Sequence, residues 1–173
     1  MIHADCTEIF ELYAIRYAYR EGMRATSFLG GDPHDGPMPM DYFIWLARSP
    51  KKCIVIDTGF TAEEASRRKR TFLKCPLEIL KNHIVKPELI TDVILTHLHY
   101  DHAGNCCGFP NATFHLQEAE MRFATGKFMG FPFLSHSFNS DDICDLVRLN
   151  FAERVRFYEG DETLAEGINL HKT

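Results

Sequence analysis

A chain of 173 residues, 45% hydrophobic and 25% charged, has the length and balance of one globular domain with a sizeable core. Its net charge of -5 speaks against nucleic acid as the main partner, because phosphate binding needs a basic face. No apolar run approaches the roughly 20 residues of a membrane span, and the opening MIHADCTEIFELY lacks the basic-then-apolar pattern of a secretory leader, so a cytoplasmic protein with reduced cysteines is expected.

The first predicted strand covers 8–20, where β-branched and aromatic residues mix with charges. GDPHDGPMPMD (31–41) is a loop by its Gly, Pro and Asp content. Strands over 42–48 and 52–59 follow, joined by a short SPK turn that implies a hairpin. Thr61 and Glu64 form a capping-box pattern at the start of a helix. The RRKR run on that helix (67–70) is read as a solvated face, since Glu63 and Glu64 share the helix. Pro76 opens a second helix over 76–85.

ITDVILTH (90–97) is a short apolar run of the kind that forms a buried central strand. A strand over 112–117, a helix over 118–126 ended by Gly126, and an amphipathic helix over 141–152 come next. Strands over 154–160 and 167–173 complete the pattern. Strands and helices alternate in clusters, which predicts a mixed α and β fold of one domain, 1–173.

The chemistry concentrates at the exit of the central strand, in THLHYDHAG (96–104). Residues i and i+2 of an extended chain point to one side, so His97 and His99 converge on one metal. Asp101 and His102 follow where the chain turns and can address a second metal beside it. Gly104 is expected to permit a sharp turn. Imidazole and carboxylate donors suit zinc, with iron, manganese or cobalt as alternatives. Three imidazoles and a carboxylate buried without partners would cost several kcal/mol, which a metal offsets. Cys106 and Cys107 are adjacent, so their side chains diverge, and neither is read as a ligand.

HLHYDH (97–102) resembles the signature of the metallo-β-lactamase superfamily of metal-dependent hydrolases, and IDTG (56–59) fits the same family. Within it, GDPHDGPMPMDYFIW (31–45), THLHYDHAGN (96–105) with FHLQEAEM behind it, and EGINLH (166–171) look most like the N-acyl homoserine lactonases. The resemblance implies an α+β fold, an αββα sandwich of which this chain supplies about the first two-thirds. It implies two divalent metal ions, most simply zinc, held in part by His97, His99, Asp101 and His102, with Asp57 orienting a ligand from the outer shell. A metal-bridging hydroxide would open the lactone ring, and Asp101 would shuttle the proton to the leaving alkoxide. The substrate would be a small acylated lactone and the role quorum quenching.

In the family, further ligands follow a stretch like GINLH. His171 precedes the expected position and is read as a strand residue. The chain is therefore expected to be truncated at its C-terminus, to expose an apolar sheet face and, taken alone, to fold poorly and be inactive on lactones. A thioesterase or other ester hydrolase of the same superfamily is the alternative, as is a non-catalytic metal-binding scaffold. The phenylalanines at 123, 128, 131, 133 and 138 are either core or an acyl-chain lid. Met38 and Met40 either line the pocket or meet a second copy in a homodimer; both readings stay open. His34 and His136 are read as surface or hydrogen-bonded residues.

Overall fold

We describe residues 8–172 of a computed structural model; Cys6 and the last position of the predicted 167–173 strand lie outside that range. In chain order the elements are β1 (Glu11–Arg20), α1 (Arg24–Ser27), β2 (Met40–Arg48), β3 (Cys53–Ile56), α2 (Ala62–Arg67), β4 (Thr71–Phe72), α3 (Pro76–His83), β5 (Asp92–Ile94), α4 (Tyr100–Ala103), β6 (Thr113–Gln117), α5 (Glu118–Ala124), α6 (Pro132–Ser135), α7 (Ser140–Phe151), β7 (Val155–Tyr158), β8 (Glu162–Ala165) and β9 (Ile168–Leu170). Seven strands form one sheet in the order β4-β1-β2-β3-β5-β6-β7, and β8 and β9 pair as a separate hairpin.

The sheet changes character at β3. β1, β2 and β3 run antiparallel, as the SPK turn predicts, while β3, β5, β6 and β7 run parallel. Parallel neighbours end at the same edge, so the chain leaves β3 and β5 side by side. That edge is where the IDTG and histidine motifs meet.

Alternation sorts the strand residues onto two faces. Tyr17, Tyr42, Ile44, Leu46, Val55, Val93, Phe114 and Leu116 join one buried cluster with Leu80 of α3 and Ile143, Leu146 and Leu149 of α7. The register puts Ala14, Trp45, Ile56, Ile94 and His115 on the opposite face. There Trp45 is 44% exposed and Leu12 of β1 is 70% exposed. On the same face, toward β7, His115 is buried between two partners. Its Nδ1 lies 2.7 Å from the Tyr158 hydroxyl and its Nε2 2.9 Å from Asp92 Oδ1. A neutral imidazole satisfies both by donating to Asp92 and accepting from Tyr158.

Several sequence readings need correction. The strands predicted over 52–59, 90–97, 154–160 and 167–173 are all shorter, because each run continues into a connecting segment. The two-residue β4 and the polar β8 carried no pattern long enough to detect. His171 lies just past β9 and pairs with Asp161 at 3.0 Å. The capping box is half made. Thr61 Oγ1 accepts from the Glu64 N–H at 3.2 Å, but the Glu64 carboxylate turns to Arg67, Arg68 and Asn139. The RRKR run is not a uniformly solvated face: Arg67 is largely exposed, whereas Arg68 and Arg70 turn inward onto Tyr100.

Gly104 also serves a purpose other than the one expected. Its φ of -82° is open to any residue. What it permits is contact: a Cβ there would lie 2.7 Å from the Gly59 carbonyl oxygen and 2.9 Å from Phe60 Cα. The two motifs join here, since the Gly104 N–H donates to that same Gly59 carbonyl at 2.8 Å. A methyl group facing backbone on both sides cannot be accommodated by a rotamer change. Gly104→Ala should therefore destabilise the fold by about 2–3 kcal/mol, read as a fall of roughly 5–10 °C in Tm.

Asp142, in the first turn of α7, is raised to about 7 by burial and by the nearby carboxylates of Glu64, Asp145 and Asp141. Its Oδ2 has no hydrogen-bond partner. A folded-state value above the ordinary carboxylate value means that the folded chain holds this proton more tightly. That contribution is complete below about pH 4 and is lost as pH rises through about 7. Asp142→Asn should accordingly raise Tm by a few degrees near pH 8, and the gain should vanish near pH 4 in paired thermal melts.

Candidate metal centre

β5 ends at Ile94, and the backbone from Leu95 to His99 runs across the sheet edge before α4 begins at Tyr100. β3 ends beside it, and Asp57 follows with φ of 62°. Aspartate tolerates this left-handed conformation. The turn lets the Asp57 N–H donate to the Ile94 carbonyl at 2.8 Å while its side chain points at the next strand exit.

That side chain, 6% exposed, organises the site. Asp57 Oδ1 accepts from the Thr96 N–H at 2.8 Å, and Oδ2 accepts from the Thr96 hydroxyl at 2.9 Å. Asp57 Oδ2 also lies 2.7 Å from His102 Nδ1. Nδ1 of His102 must donate there, which fixes the ring's orientation and leaves Nε2 directed at Asp101, 3.5 Å away. Thr96 Oγ1 is additionally 3.1 Å from His97 Nδ1. Asp57, on its own a plain turn residue, is thus the bridge between the two motifs. Thr96 was not singled out in the sequence, although it directly precedes the first histidine.

The three histidines come together. The rings of His97 and His102 have centroids 3.9 Å apart, and those of His97 and His99 4.6 Å. Burial, then the charges of neighbouring imidazoles, hold His97 below the ordinary histidine range. Burial does the same for His99. For His102 burial opposes the charge, but hydrogen bonds to Asp101 and Asp57 outweigh it and raise the group to about 9. Asp101 is likewise opposed by burial yet held below the usual carboxylate range by its His102 contact.

The rings are packed together rather than fanned about a shared vertex, and among the described residues no three His, Cys, Asp or Glu side chains form a closed metal cage. The donor set nevertheless fits a divalent cation. Two imidazoles keep a free lone pair at neutral pH, and two carboxylates leave the pocket in need of positive charge.

The surroundings are built to hold α4 in place. Thr58 donates from its N–H and its hydroxyl to the His102 carbonyl at 2.7 and 2.9 Å. Tyr17 donates its hydroxyl to the Asp101 carbonyl at 3.1 Å. The Leu98 N–H donates to Glu120 at 3.1 Å. Phe138 sets its ring edge-on to His99, with centroids 4.9 Å apart, and Phe123 stands behind it at 5.9 Å. Of the other phenylalanines, Phe128, Phe131 and Phe133 are exposed, so ordinary core packing does not account for them.

The remaining candidates stand apart. Cys106 is buried with its thiol donating to the Ala103 carbonyl, and Cys107 contacts Asp145. His34 is exposed beside Asp32, and His136 contacts the Phe133 carbonyl. A cavity of about 980 Å³ lies between α2 and α7 and is lined by residues such as Glu63, Asn105, Phe138 and Asp142; none of the four motif residues lines it.

A mixed sheet with an aspartate and a histidine cluster at adjacent parallel strand ends places the chain among the mixed α and β proteins. The chain belongs to the metallo-β-lactamase superfamily, whose family model matches residues 38–161. No curated protein sequence matches it. Solved structures do. A Bacillus thuringiensis AiiA variant with N-decanoyl-L-homoserine bound is 20% identical, with a TM-score of 0.71 over 95% of this chain and 65% of that one. AidC, a dizinc quorum-quenching lactonase, is 21% identical, with a TM-score of 0.65 over 92% and 64%. A probable metal-dependent hydrolase from Staphylococcus aureus is 15% identical, with a TM-score of 0.68 over 95% and 64%. At these identities the likeness is one of fold, and the chain spans about two-thirds or slightly less of each neighbour's length. Among the described residues no helix is long and apolar enough to cross a membrane.

Thr96 offers a direct test of how the site is held. Thr96→Val keeps the shape and removes the hydroxyl shared by Asp57 and His97. Asp57, a buried carboxylate, then loses an acceptor bond, which should cost about 1–3 kcal/mol in chemical denaturation, whereas Thr96→Ser should remain close to wild type.

Proposed function

We propose that the chain carries the histidine-bearing part of a metal-dependent hydrolase that opens the ring of N-acyl homoserine lactones. The observation that carries this reading is the junction of Asp57, Thr96 and His102 beside His97, His99 and Asp101 at two adjacent strand ends. His97, His99, Asp101 and His102 would hold two divalent ions, with zinc the best match to imidazole and carboxylate donors. Bound metal would supply Lewis acidity at a carbonyl oxygen and lower the pKa of water toward neutrality.

The protein's own groups then have distinct tasks. Burial keeps His97 and His99 neutral and able to donate lone pairs. Asp57 and Thr96 fix the rings. Asp101 is held ionised, so it can take up a proton at its carboxylate and return it to a departing alkoxide. Phe138 and Phe123, with the exposed phenylalanines beyond them, offer an apolar wall suited to an acyl chain. Lactone opening is the activity of a site whose ligand set is complete; for residues 1–173 alone we expect metal binding with little turnover.

Zinc titration of the purified 173-residue chain, followed by assays on N-acyl homoserine lactones and on thioesters, tests this reading. Zinc should bind the chain and be withdrawn by chelator, and His97→Ala should weaken zinc binding by at least about tenfold. Wherever ring opening is measurable, Asp101→Asn should lower kcat by about 100-fold or more with little change in KM. An unchanged kcat would remove Asp101 from proton transfer, and faster thioester cleavage would favour the ester-hydrolase alternative.

A further inference from the structure

The basic run at 67–70 converges on Tyr100, the residue between His99 and Asp101. The Arg68 guanidinium lies over the Tyr100 ring, its carbon 3.7 Å from the ring centre. The same guanidinium donates to the His136 carbonyl at 2.7 Å and to the Phe138 carbonyl at 3.1 Å. Between them, the Ser137 carbonyl accepts from the Tyr100 N–H at 2.9 Å. Three successive carbonyls are thus taken up by one arginine and by the residue on which it stacks. The Arg68 side chain is only 13% exposed, and its Nε donates to Glu64, whose side chain is 6% exposed. Arg70 completes the grip by donating to the Tyr100 hydroxyl at 3.2 Å, and that hydroxyl also pairs with Tyr42 at 3.0 Å.

This grip bears on the site for a physical reason. α4 has four residues and begins at Tyr100 with no side-chain cap. A single turn does not hold itself in water, since nucleating a helix is unfavourable. Besides His97, the ring that meets His99 is that of Phe138, from the segment that Arg68 binds. A planar fork that stacks and donates in two directions suits this joint, and a lysine ammonium cannot reproduce it.

We infer that Arg68 is a positioning residue: it locks Tyr100 and the 136–138 segment into one unit and so sets the direction of His99 and Asp101. The inference rests on reading the histidine cluster as a metal site, but the joint itself can be tested without metal.

The 173-residue chain would be compared with Arg68→Ala, Arg68→Lys and Arg67→Ala by amide hydrogen exchange, histidine-ring NMR and Co²⁺ titration. Arg68→Ala should speed exchange over 131–138 by at least about tenfold, leave β2 and β3 protected, shift the His99 ring resonances and leave those of His115 in place. Co²⁺ affinity should fall by about 10- to 100-fold, as for other groups that orient ligands. Arg68→Lys should lie between the two, and should decide the matter if Arg68→Ala loses protection in β2 and β3. Arg67→Ala, which also gives up a Glu64 contact, should behave as wild type. Wild-type exchange over 131–138 and unmoved His99 resonances in Arg68→Ala would overturn the inference, as would an equal effect of Arg67→Ala. If the wild-type chain binds no Co²⁺, the metal reading fails, while exchange and the His99 resonances still decide the joint.

Discussion

Parallel pairing of β3 with β5 is the constraint on which the site depends. Antiparallel neighbours would send their exits to opposite edges, and Asp57 would never meet Thr96 or His102. Because Ile56 pairs with Ile94 in parallel, both chains leave the sheet at one level. The left-handed turn at Asp57 then completes the junction. Its carboxylate is buried, and a buried carboxylate without donors is costly. Thr96 and His102 supply those donors, so the need to satisfy one charge draws two strand exits and a histidine into a single unit.

From that junction the rest follows outward. Backbone contacts from Thr58 and Gly59 to His102 and Gly104 close the second loop against the first. Tyr17, at the end of β1's buried stripe, reaches the Asp101 carbonyl. The antiparallel half of the sheet thus reaches α4 at the edge of the parallel half. Placing the histidines on short, externally braced segments leaves their geometry to neighbours rather than to local propensity.

How much of this could be read from the sequence depended on whether the signal was local. That His97, His99, Asp101 and His102 lie together was legible because they fall within six positions of one another, and β1, β2, α3 and α7 because their patterns are long. Asp57 needed a family resemblance, since one aspartate before a glycine-containing turn looks the same whether or not it faces a histidine. Thr96, Tyr17 and Arg68 were hidden because their roles arise from contacts across the chain: Arg68 meets the carbonyls of residues 136 and 138, about 70 positions away. Gly104 stands out in the sequence without revealing its purpose, because close backbone approach leaves the same sequence trace as an unusual dihedral.

The uncovered face of the sheet has a further practical meaning. Trp45, the single tryptophan of the chain, stands there nearly half exposed, with its ring centroid 6.1 Å from that of Phe43. The chain's own fluorophore thus stands on the exposed part of that sheet face. Its emission should move to shorter wavelength when that face is covered, by a second copy or by any other apolar layer, and should respond little to events among the histidines.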